Sequence, residues 1–378
     1  MSQPILPGAH LGVLGGGQLG RMFALAARRM GYRVAVFAPE DDTPTGQVAD
    51  RAVQAPYEDL DAVRRFASEV SVITFEFENV PADTAAAAAD VVPVRPAGSL
   101  LHTAQHRRRE KEAVAAAGVP TVAFAVIESA EDLEEAISSI GTPSILKTSA
   151  SGYDGKGQAK ILRPEDAADA WAGIGRAPAV LEAFAHFERE ISVVGARGLD
   201  GEVALYEPFE NIHENHILDV TLSPARIDER TRTRALDIAR TLLDAWDVVG
   251  VVCFEFFDLG DGELVVNELA PRPHNSGHLT IDGHVCSQFE LQVRAVCGLP
   301  LGSTDRVAPS VMVNLLGDLW ANGEPNWAAA AAIPGVALHL YGKGAARPGR
   351  KMGHLTAVAP TVEDAHERAL RARSALTG

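Results

Sequence analysis

Apolar and polar positions in the first hundred residues switch between two periods. The run HLGVLGGGQLG (10–20) has the pattern of a strand and a glycine turn, RMFALAARRMG (21–31) has the period of an amphipathic helix, and YRVAVFA (32–38) is again a strand. Further helix and strand patterns continue to the prolines of PVRPAGSL. Because alternating strands and helices form a parallel sheet with crossover helices, we predict a dinucleotide-binding-like domain over residues 1–100.

The pattern changes after this first domain. A charged helix ends at Gly118, and strand and helix patterns then surround the glycine-rich run SASGYDGKGQAK (149–160). A hairpin, VVGVVCFEFFDLGDGELVVNELA, and an amphipathic helix, SQFELQVRAVCG, follow. The last part of the chain carries apolar strands, a basic loop and a final helix. We predict an α/β protein with a second domain over 101–300, whose lid subdomain covers about 120–185, and a small C-terminal mixed domain over 301–378.

Charge and cysteine content narrow the class of protein. The 378 residues hold 34 Lys and Arg against 50 Asp and Glu, so the net charge is −16. A chain this acidic is not expected to bind nucleic acid, which requires clustered cations. The three cysteines have no metal-site spacing, and no apolar run has the length of about 20 residues that spans a bilayer. We therefore expect a cytoplasmic protein that does not bind a membrane.

The N-terminal run GGGQLG matches the pattern G-x-G-x-x-G through Gly15, Gly17 and Gly20. Such a turn at the start of a helix offers backbone N–H groups to an anion, as in NAD-binding folds. An NAD site also needs an acid at the end of the second strand, where this chain has Phe37 and Ala38. The turn is therefore expected to hold another phosphate or ribose, or to serve only as a tight turn.

Two carboxylates are predicted to face each other across the hairpin. Folding the chain about the turn at Asp261 places Glu255 opposite Asn267 or Glu268. Since like charges repel across a ladder, a cation between them would relieve the repulsion, and two carboxylates with an amide suit Mg²⁺. The alternative is that Glu255 pairs with a structural arginine. The facing carboxylates also predict that Glu268→Gln leaves the melting temperature unchanged or raises it.

Polar clusters lie on both sides of this hairpin. Arg272, His274 and Asn275 follow it directly in APRPHNSGH, and they suit a small planar anion. The glycine-rich run lacks the Ser or Thr of a Walker motif, and it is expected to close over phosphates as a lid, with Lys156 toward the oxygens. Lys147 ends the strand before it. A mobile surface hairpin is the alternative for the glycine-rich run taken alone.

Together these motifs resemble those of the ATP-grasp ligases. The order is GGGQLGRM, Lys147, SGYDGKG, LEAF, CFEFF, NELAPRPHNSGH with SQFE, and RPGRKMGH, which is similar to the N5-carboxyaminoimidazole ribonucleotide synthetases over residues 10–356. Ser151 stands where that family usually has Gly, and His106 stands where it usually has Asp. The resemblance implies an ATP-grasp fold and a ligase of purine biosynthesis.

The resemblance also implies roles for individual residues. The residues implied to bind ATP are Arg107, Lys147, Ser151, Gly152, Tyr153, Asp154, Gly155, Lys156, Gly157, Glu182, Ala183, Phe184, Ala185, Glu190, His213, Asn267 and Glu268. The resemblance implies that Glu255 and Glu268 bind Mg²⁺, or Mn²⁺ in its place. The residues implied to bind the ribonucleotide are Gly17, Gln18, Leu19, Glu76, Lys343, Arg350 and Lys351. The implied catalytic set is Tyr153, Asp154, Arg272, His274, Asn275 and Lys351.

The implied substrates are ATP, bicarbonate and 5-aminoimidazole ribonucleotide, and a homodimer is expected at the level of the family. Bicarbonate would attack the γ-phosphate to give carboxyphosphate, from which the exocyclic amine takes the carboxyl group or the CO₂ released. Two other functions stay open at this point. One is the ATP-grasp ligase that joins formate to glycinamide ribonucleotide, and the other is an NAD-dependent oxidoreductase, which rests on Gly15, Gly17 and Gly20 alone.

Overall fold

A parallel sheet begins the chain in the computed structural model, which describes residues 3–150 and 157–377. Its strands are β1 (His10–Leu14), β2 (Arg33–Ala38), β3 (Arg51–Gln54) and β4 (Val72–Phe75), and its helices are α1 (Gln18–Arg29), α2 (Leu60–Ala67), α3 (Ala82–Ala89) and α4 (Gly98–Ala104). The strand order is β3-β2-β1-β4, with parallel pairing throughout. The parallel sheet is as predicted. The edge strand β3 was missed, because its sequence RAVQ is mostly exposed and has no apolar alternation.

An antiparallel sheet with two helices covers the residues that were predicted to form a lid subdomain. Its elements are β5 (Phe124–Ile127), α6 (Ala130–Ile140), β6 (Ser144–Thr148), β7 (Gln158–Ile161), α7 (Ala167–Gly173) and β8 (Ala179–Ala183), and α5 (Arg107–Ala116) precedes them. The strand order is β5-β8-β6-β7. The glycine-rich run joins β6 to β7, and its residues Ser151, Gly152, Tyr153, Asp154, Gly155 and Lys156 lie outside the described residues.

The remaining strands of the chain form one larger sheet. Its strands are β9 (Arg189–Arg197), β10 (Val203–Leu205), β11 (Phe209–Glu214), β12 (Ile217–Ser223), β13 (Gly250–Gly260), β14 (Glu263–Ala270), β15 (Ser310–Leu316), β16 (Val336–Leu340) and β17 (Lys351–Val358). They run β14-β13-β9-β11-β12-β15-β17-β16, with β10 beside β9. Because β12 pairs with β15, the sheet continues from the strands before residue 300 into those after it.

The helices of this last part are α8 (Glu229–Ala245), α9 (Thr280–Gly283), α10 (Gln288–Cys297), α11 (Trp327–Ala331) and α12 (Val362–Ser374). Helix α10 joins the nine-stranded sheet of the described residues to the N-terminal sheet, since Phe289 and Val293 are buried in one cluster with Leu19 and Phe23 of α1. Burial of each such side chain contributes about 1.5–3 kcal/mol. The N-terminal sheet is thereby held against the loop that follows β14. Within the part of the chain that the structure describes, no helix is long and apolar enough to cross a membrane.

Candidate active site

The two predicted metal carboxylates face each other. Glu255 of β13 pairs with Glu268 of β14, and a bulge follows Glu255 in the ladder. The register is therefore as predicted. Each acid also has a cationic partner, because Glu255 Oε1 lies 3.0 Å from His274 Nε2 and Glu268 forms an ion pair with Arg107. The alternative of a structural arginine beside Glu255 is not what the structure shows.

These partners set the protonation of both acids. Partial burial raises the pKa of Glu268, but the charges of Arg107 and Lys147 together outweigh this effect and hold the pKa at about 2. Burial likewise raises the pKa of Glu255, and His274 brings it below the ordinary value. Both side chains are therefore carboxylates at neutral pH. Asn267 adds an amide Oδ1 that is buried and has no hydrogen-bond partner among the described residues. This all-oxygen set of donors fits Mg²⁺.

A second group of possible metal ligands shares Glu255. It consists of Glu190, His213 and Glu255, whose ligand atoms, one from each residue, lie within 4.8 Å of one another. Among the described residues this is the only such group of three. His213 Nδ1 is 3.2 Å from Glu190 Oε1. Burial lowers the pKa of His213, but Glu190 and Glu255 raise it above its ordinary value. Glu190 and His213 thus lie beside the carboxylate pair.

A buried ion-pair triad joins α5, β6 and β8. Glu182 of β8 is 2.8 Å from Lys147 Nζ and 3.1 Å from Lys111 Nζ. Burial raises the pKa of Glu182, and the two lysines bring it below the ordinary value. Sequence reasoning missed Lys111. The signal was its spacing, since Lys111 follows Arg107 by one helical turn and therefore shares a face of α5.

Glu110 is a second residue that sequence reasoning missed. It is buried on α5, and its Oε1 accepts a hydrogen bond of 2.6 Å from the backbone N–H of Leu269, next to Glu268. Burial and the charge of Glu268 raise the pKa of Glu110 to about 8. Its position three residues after Arg107 was the available signal. At the start of the same helix, His106 takes the N-cap position without a side-chain cap, where the family usually has Asp.

His274 is held at both ring nitrogens. Nε2 faces Glu255, and Nδ1 lies 2.9 Å from Ser276 Oγ. Burial lowers the pKa of His274, but the neighbouring Cys253 and Glu255 raise it to about 10. The ring is therefore an imidazolium at neutral pH and suits an anion. Both amide atoms of the buried Asn275 have no partner among the described residues, so they also are available to a ligand.

The glycine turn holds a carboxylate of the protein itself. Glu76, which follows β4, is buried and lies close against the turn. A Cβ at Gly17 would lie 2.5 Å from Glu76 Oε2, and one at Gly15 would lie 2.4 Å from Glu76 Cγ. A buried acid therefore lies where a phosphate was expected, which favours the alternative of a tight turn. The same contact removes the basis of the NAD hypothesis.

The basic loop after β16 contacts the loop between β2 and β3. Gln47 donates a hydrogen bond of 2.9 Å to the carbonyl oxygen of Gly342, although the two are 295 residues apart. Lys343 Nζ donates to the carbonyl oxygen of Lys351 at 2.7 Å. Burial and then the charge of Arg350 lower the pKa of Lys343 to about 8. The loop thus places partly buried cations beside the N-terminal sheet.

The structure brings most of the predicted residues together. Arg272 Nη2 is 2.6 Å from Glu78 Oε1, a carboxylate that sequence reasoning missed. Gln18 and Leu19 begin α1, and Gly157 ends the glycine-rich run with a φ of +70°. Other predicted ATP residues, Glu182, Ala183, Phe184 and Ala185, lie in and after β8. The predicted Tyr153 and Asp154 lie outside the described residues.

Three family models match successive parts of the chain. They are a ribonucleotide synthetase preATP-grasp domain over residues 9–105, an ATP-grasp domain over 112–289 and a phosphoribosylaminoimidazole carboxylase C-terminal domain over 310–368. An ATP-grasp fold with an N-terminal parallel sheet was predicted, and these matches confirm it.

Curated and solved relatives match nearly the whole length. The N5-carboxyaminoimidazole ribonucleotide synthase of Bacillus subtilis (strain 168) is 42% identical over 354 residues, which are 94% of this chain and 92% of that protein. An N5-carboxyaminoimidazole ribonucleotide synthetase solved with ADP is 41% identical, with a TM-score of 0.93 over 99% of this chain and 98% of that one. The Aspergillus clavatus enzyme, solved with ADP and 5-aminoimidazole ribonucleotide, is 31% identical, with a TM-score of 0.89 over 98% of each chain. The chain therefore belongs to the N5-carboxyaminoimidazole ribonucleotide synthase family of ATP-grasp ligases.

Proposed function

We propose that this chain joins bicarbonate to the amino group of 5-aminoimidazole ribonucleotide while ATP is converted to ADP and phosphate. One observation carries the proposal: the facing carboxylates Glu255 and Glu268 adjoin the loop 272–275, here called the anion-binding loop, through the 3.0 Å contact between Glu255 and His274. A metal-bound triphosphate and a small anion would thus meet in one place. The full-length similarity to carboxyaminoimidazole ribonucleotide synthases supports the same reaction.

Ligand binding would let the charged side chains of the site exchange their ion-pair partners. In this structure the cations pair with acids, as Arg107 does with Glu268, Lys147 with Glu182 and Arg272 with Glu78. Glu255, Glu268 and the Asn267 amide would hold Mg²⁺, which when bound spreads the negative charge of the phosphates. Arg107 and Lys147 are then free to face phosphate oxygens.

The anion-binding loop suits bicarbonate. Because His274 is an imidazolium at neutral pH, it binds as a cation and does not act as a base. Arg272 and the free amide of Asn275 add donors for a planar anion. Bicarbonate held there would attack the γ-phosphorus through one oxygen and displace ADP, which gives carboxyphosphate.

The ribonucleotide is proposed to lie between Glu76 and the basic loop. Lys343, Arg350 and Lys351 supply cations for its 5′-phosphate, and Glu76 supplies an acceptor for hydroxyl groups. The amine then forms a bond to the carboxyl carbon, phosphate leaves, and the amine loses a proton. Tyr153 and Asp154 keep their implied place at this step. The domain limits, the homodimer and a cytoplasmic location remain proposals as well.

The test measures phosphate released from ATP. We expect slow release with bicarbonate alone and at least about tenfold faster release when 5-aminoimidazole ribonucleotide is added, because a ligand that favours the closed site shifts the population toward it. Lys351→Ala should weaken this stimulation with ATP affinity near that of the wild type. Equal rates with and without the ribonucleotide, or stimulation by formate with glycinamide ribonucleotide instead, would contradict the proposal.

Lys343 predicts how activity depends on pH. Its pKa of about 8 is that of the unliganded enzyme, and kcat/KM reports groups of the unliganded enzyme. Above pH 8 the amine loses its charge and attracts the 5′-phosphate less, so kcat/KM for the ribonucleotide should fall while kcat holds. The profile should extend to higher pH in Lys343→Arg, since arginine stays charged. An identical alkaline fall in both enzymes would remove Lys343 from the phosphate site.

A further inference from the structure

The run SQFE after the anion-binding loop has no part in the chemistry described so far. Ser287 caps α10, with its side chain accepting from the N–H of Glu290. Gln288 is the first residue of the helix and is completely buried. A buried amide needs hydrogen-bond partners, so the partners of Gln288 indicate what it does.

Gln288 holds the backbone of His274 at two points. Its Oε1 accepts from the His274 N–H at 2.8 Å, and its Nε2 donates to the His274 carbonyl oxygen at 2.7 Å. The same Nε2 lies 3.1 Å from His278 Nδ1. One side chain thus binds both ends of the loop from His274 to His278, much as a neighbouring strand would.

The side chain of Gln288 also explains why the run HNSGH has glycine at position 277. A Cβ at Gly277 would lie 2.4 Å from Gln288 Oε1 and 2.6 Å from its Cδ. Thr280 Oγ1 completes the arrangement, since it accepts from the Gln288 N–H at 3.0 Å and donates to the Gly277 carbonyl oxygen at 2.5 Å. Gly277 therefore leaves the space that the amide of Gln288 fills.

The ring of His274 is held by separate contacts. Nδ1 is bonded to Ser276 Oγ, which is 2.8 Å from Ser192 Oγ on β9. Asn211 of β11 donates to Ser192 Oγ at 3.0 Å. The loop backbone thus depends on Gln288, while the ring direction depends on the central sheet. Both must be right for the imidazolium to face Glu255 and the anion.

We infer that Gln288 is a positioning residue for carboxylation, which holds the 274–278 loop so that His274 and Asn275 face bicarbonate. The inference rests on the proposed function, which places bicarbonate at this loop. Displacing a reacting group by about 1 Å can reduce the rate about 100-fold. Loss of the two backbone hydrogen bonds should therefore reduce the use of bicarbonate, while ATP binding, which uses other elements, is retained.

The test compares Gln288→Met, which keeps the size of the side chain but loses both bonds, with Gln288→Glu, which keeps only the acceptor. For Gln288→Met we expect kcat/KM for bicarbonate to fall about 100-fold, with the KM for ATP near that of the wild type and more ADP released per carboxylated product. Gln288→Glu should show the same separation of the two substrates, and it serves if Gln288→Met does not fold. Gln292→Glu is the matched control, because Gln292 is equally buried one turn along α10 and bonds instead to Thr74 and Val251.

Gly277→Ala provides a second, independent arm. It should reproduce the bicarbonate defect in the wild-type background and cost little more in a Gln288→Ala background, where the space is free. Bicarbonate and ATP constants that change together, or a folded Gln288→Met with wild-type bicarbonate use, would overturn the inference. Absence of any carboxylated product from the wild-type enzyme would instead overturn the proposed function.

Discussion

Glu268→Gln is expected to reduce turnover roughly 100- to 1,000-fold, the range found when one preorganised charge-stabilising group is removed. Glu268 is one of two carboxylates that would hold the metal, and it is also the partner of Arg107 in the unliganded site. An amide at this position loses the charge that both interactions need. The measurement is steady-state phosphate release as a function of Mg²⁺ at saturating ATP.

The same variant should also melt at a lower temperature. Repulsion between the facing carboxylates, considered alone, predicts an unchanged or higher melting temperature, because the variant relieves it. The structure adds Arg107, whose side chain is only 16% exposed and would be left without its partner. Since the Glu268 side chain is 40% exposed, solvent screening keeps the decrease modest.

Glu263→Gln is the control for this substitution, since Glu263 begins the same strand and is exposed. It should leave activity and melting temperature near their wild-type values. Near-normal turnover of Glu268→Gln at low Mg²⁺ would show that the metal carboxylates are wrongly assigned.

Lys147→Ala and Arg272→Ala are expected to damage different substrates. Lys147 lies in β6, just before the glycine-rich run, and pairs with Glu182. Its loss should therefore raise the KM for ATP and lower kcat. Arg272 follows β14 and pairs with Glu78, so its loss should mainly impair the use of bicarbonate. A hydrogen bond to a charged group contributes about 1.5–3 kcal/mol, which predicts effects of about 10- to 150-fold.

Complete kinetic profiles for each variant separate the two sites. Arg306→Ala is a matched control for Arg272→Ala, because Arg306 also pairs with a carboxylate, at 3.1 Å from Glu207, but lies outside the site. Its constants should stay near those of the wild type. If Arg272→Ala changed only the KM for ATP, the anion-binding loop would be misplaced.

Local patterns allowed much of the fold to be predicted. The parallel N-terminal sheet follows from alternating periods, and the pairing of Glu255 with Glu268 follows from one turn signal and the spacing of the hairpin. β3 was missed, because an exposed edge strand has little apolar signal. The helical spacing of Glu110 and Lys111 was visible, but spacing alone does not show that a charged face is buried.

Residues close together in the chain predicted the pairing within the β13–β14 hairpin and supplied the motif set that places the chain among ATP-grasp ligases. These features depend on residues close together in the chain, where turn geometry and side-chain period leave few arrangements. Packing of distant elements sets which charges meet, as with Arg107 and Glu268, which are 161 residues apart. It also placed Glu76 in the glycine turn and Gln288 against the His274 loop. Such contacts arise when distant elements pack together, and no local period encodes them.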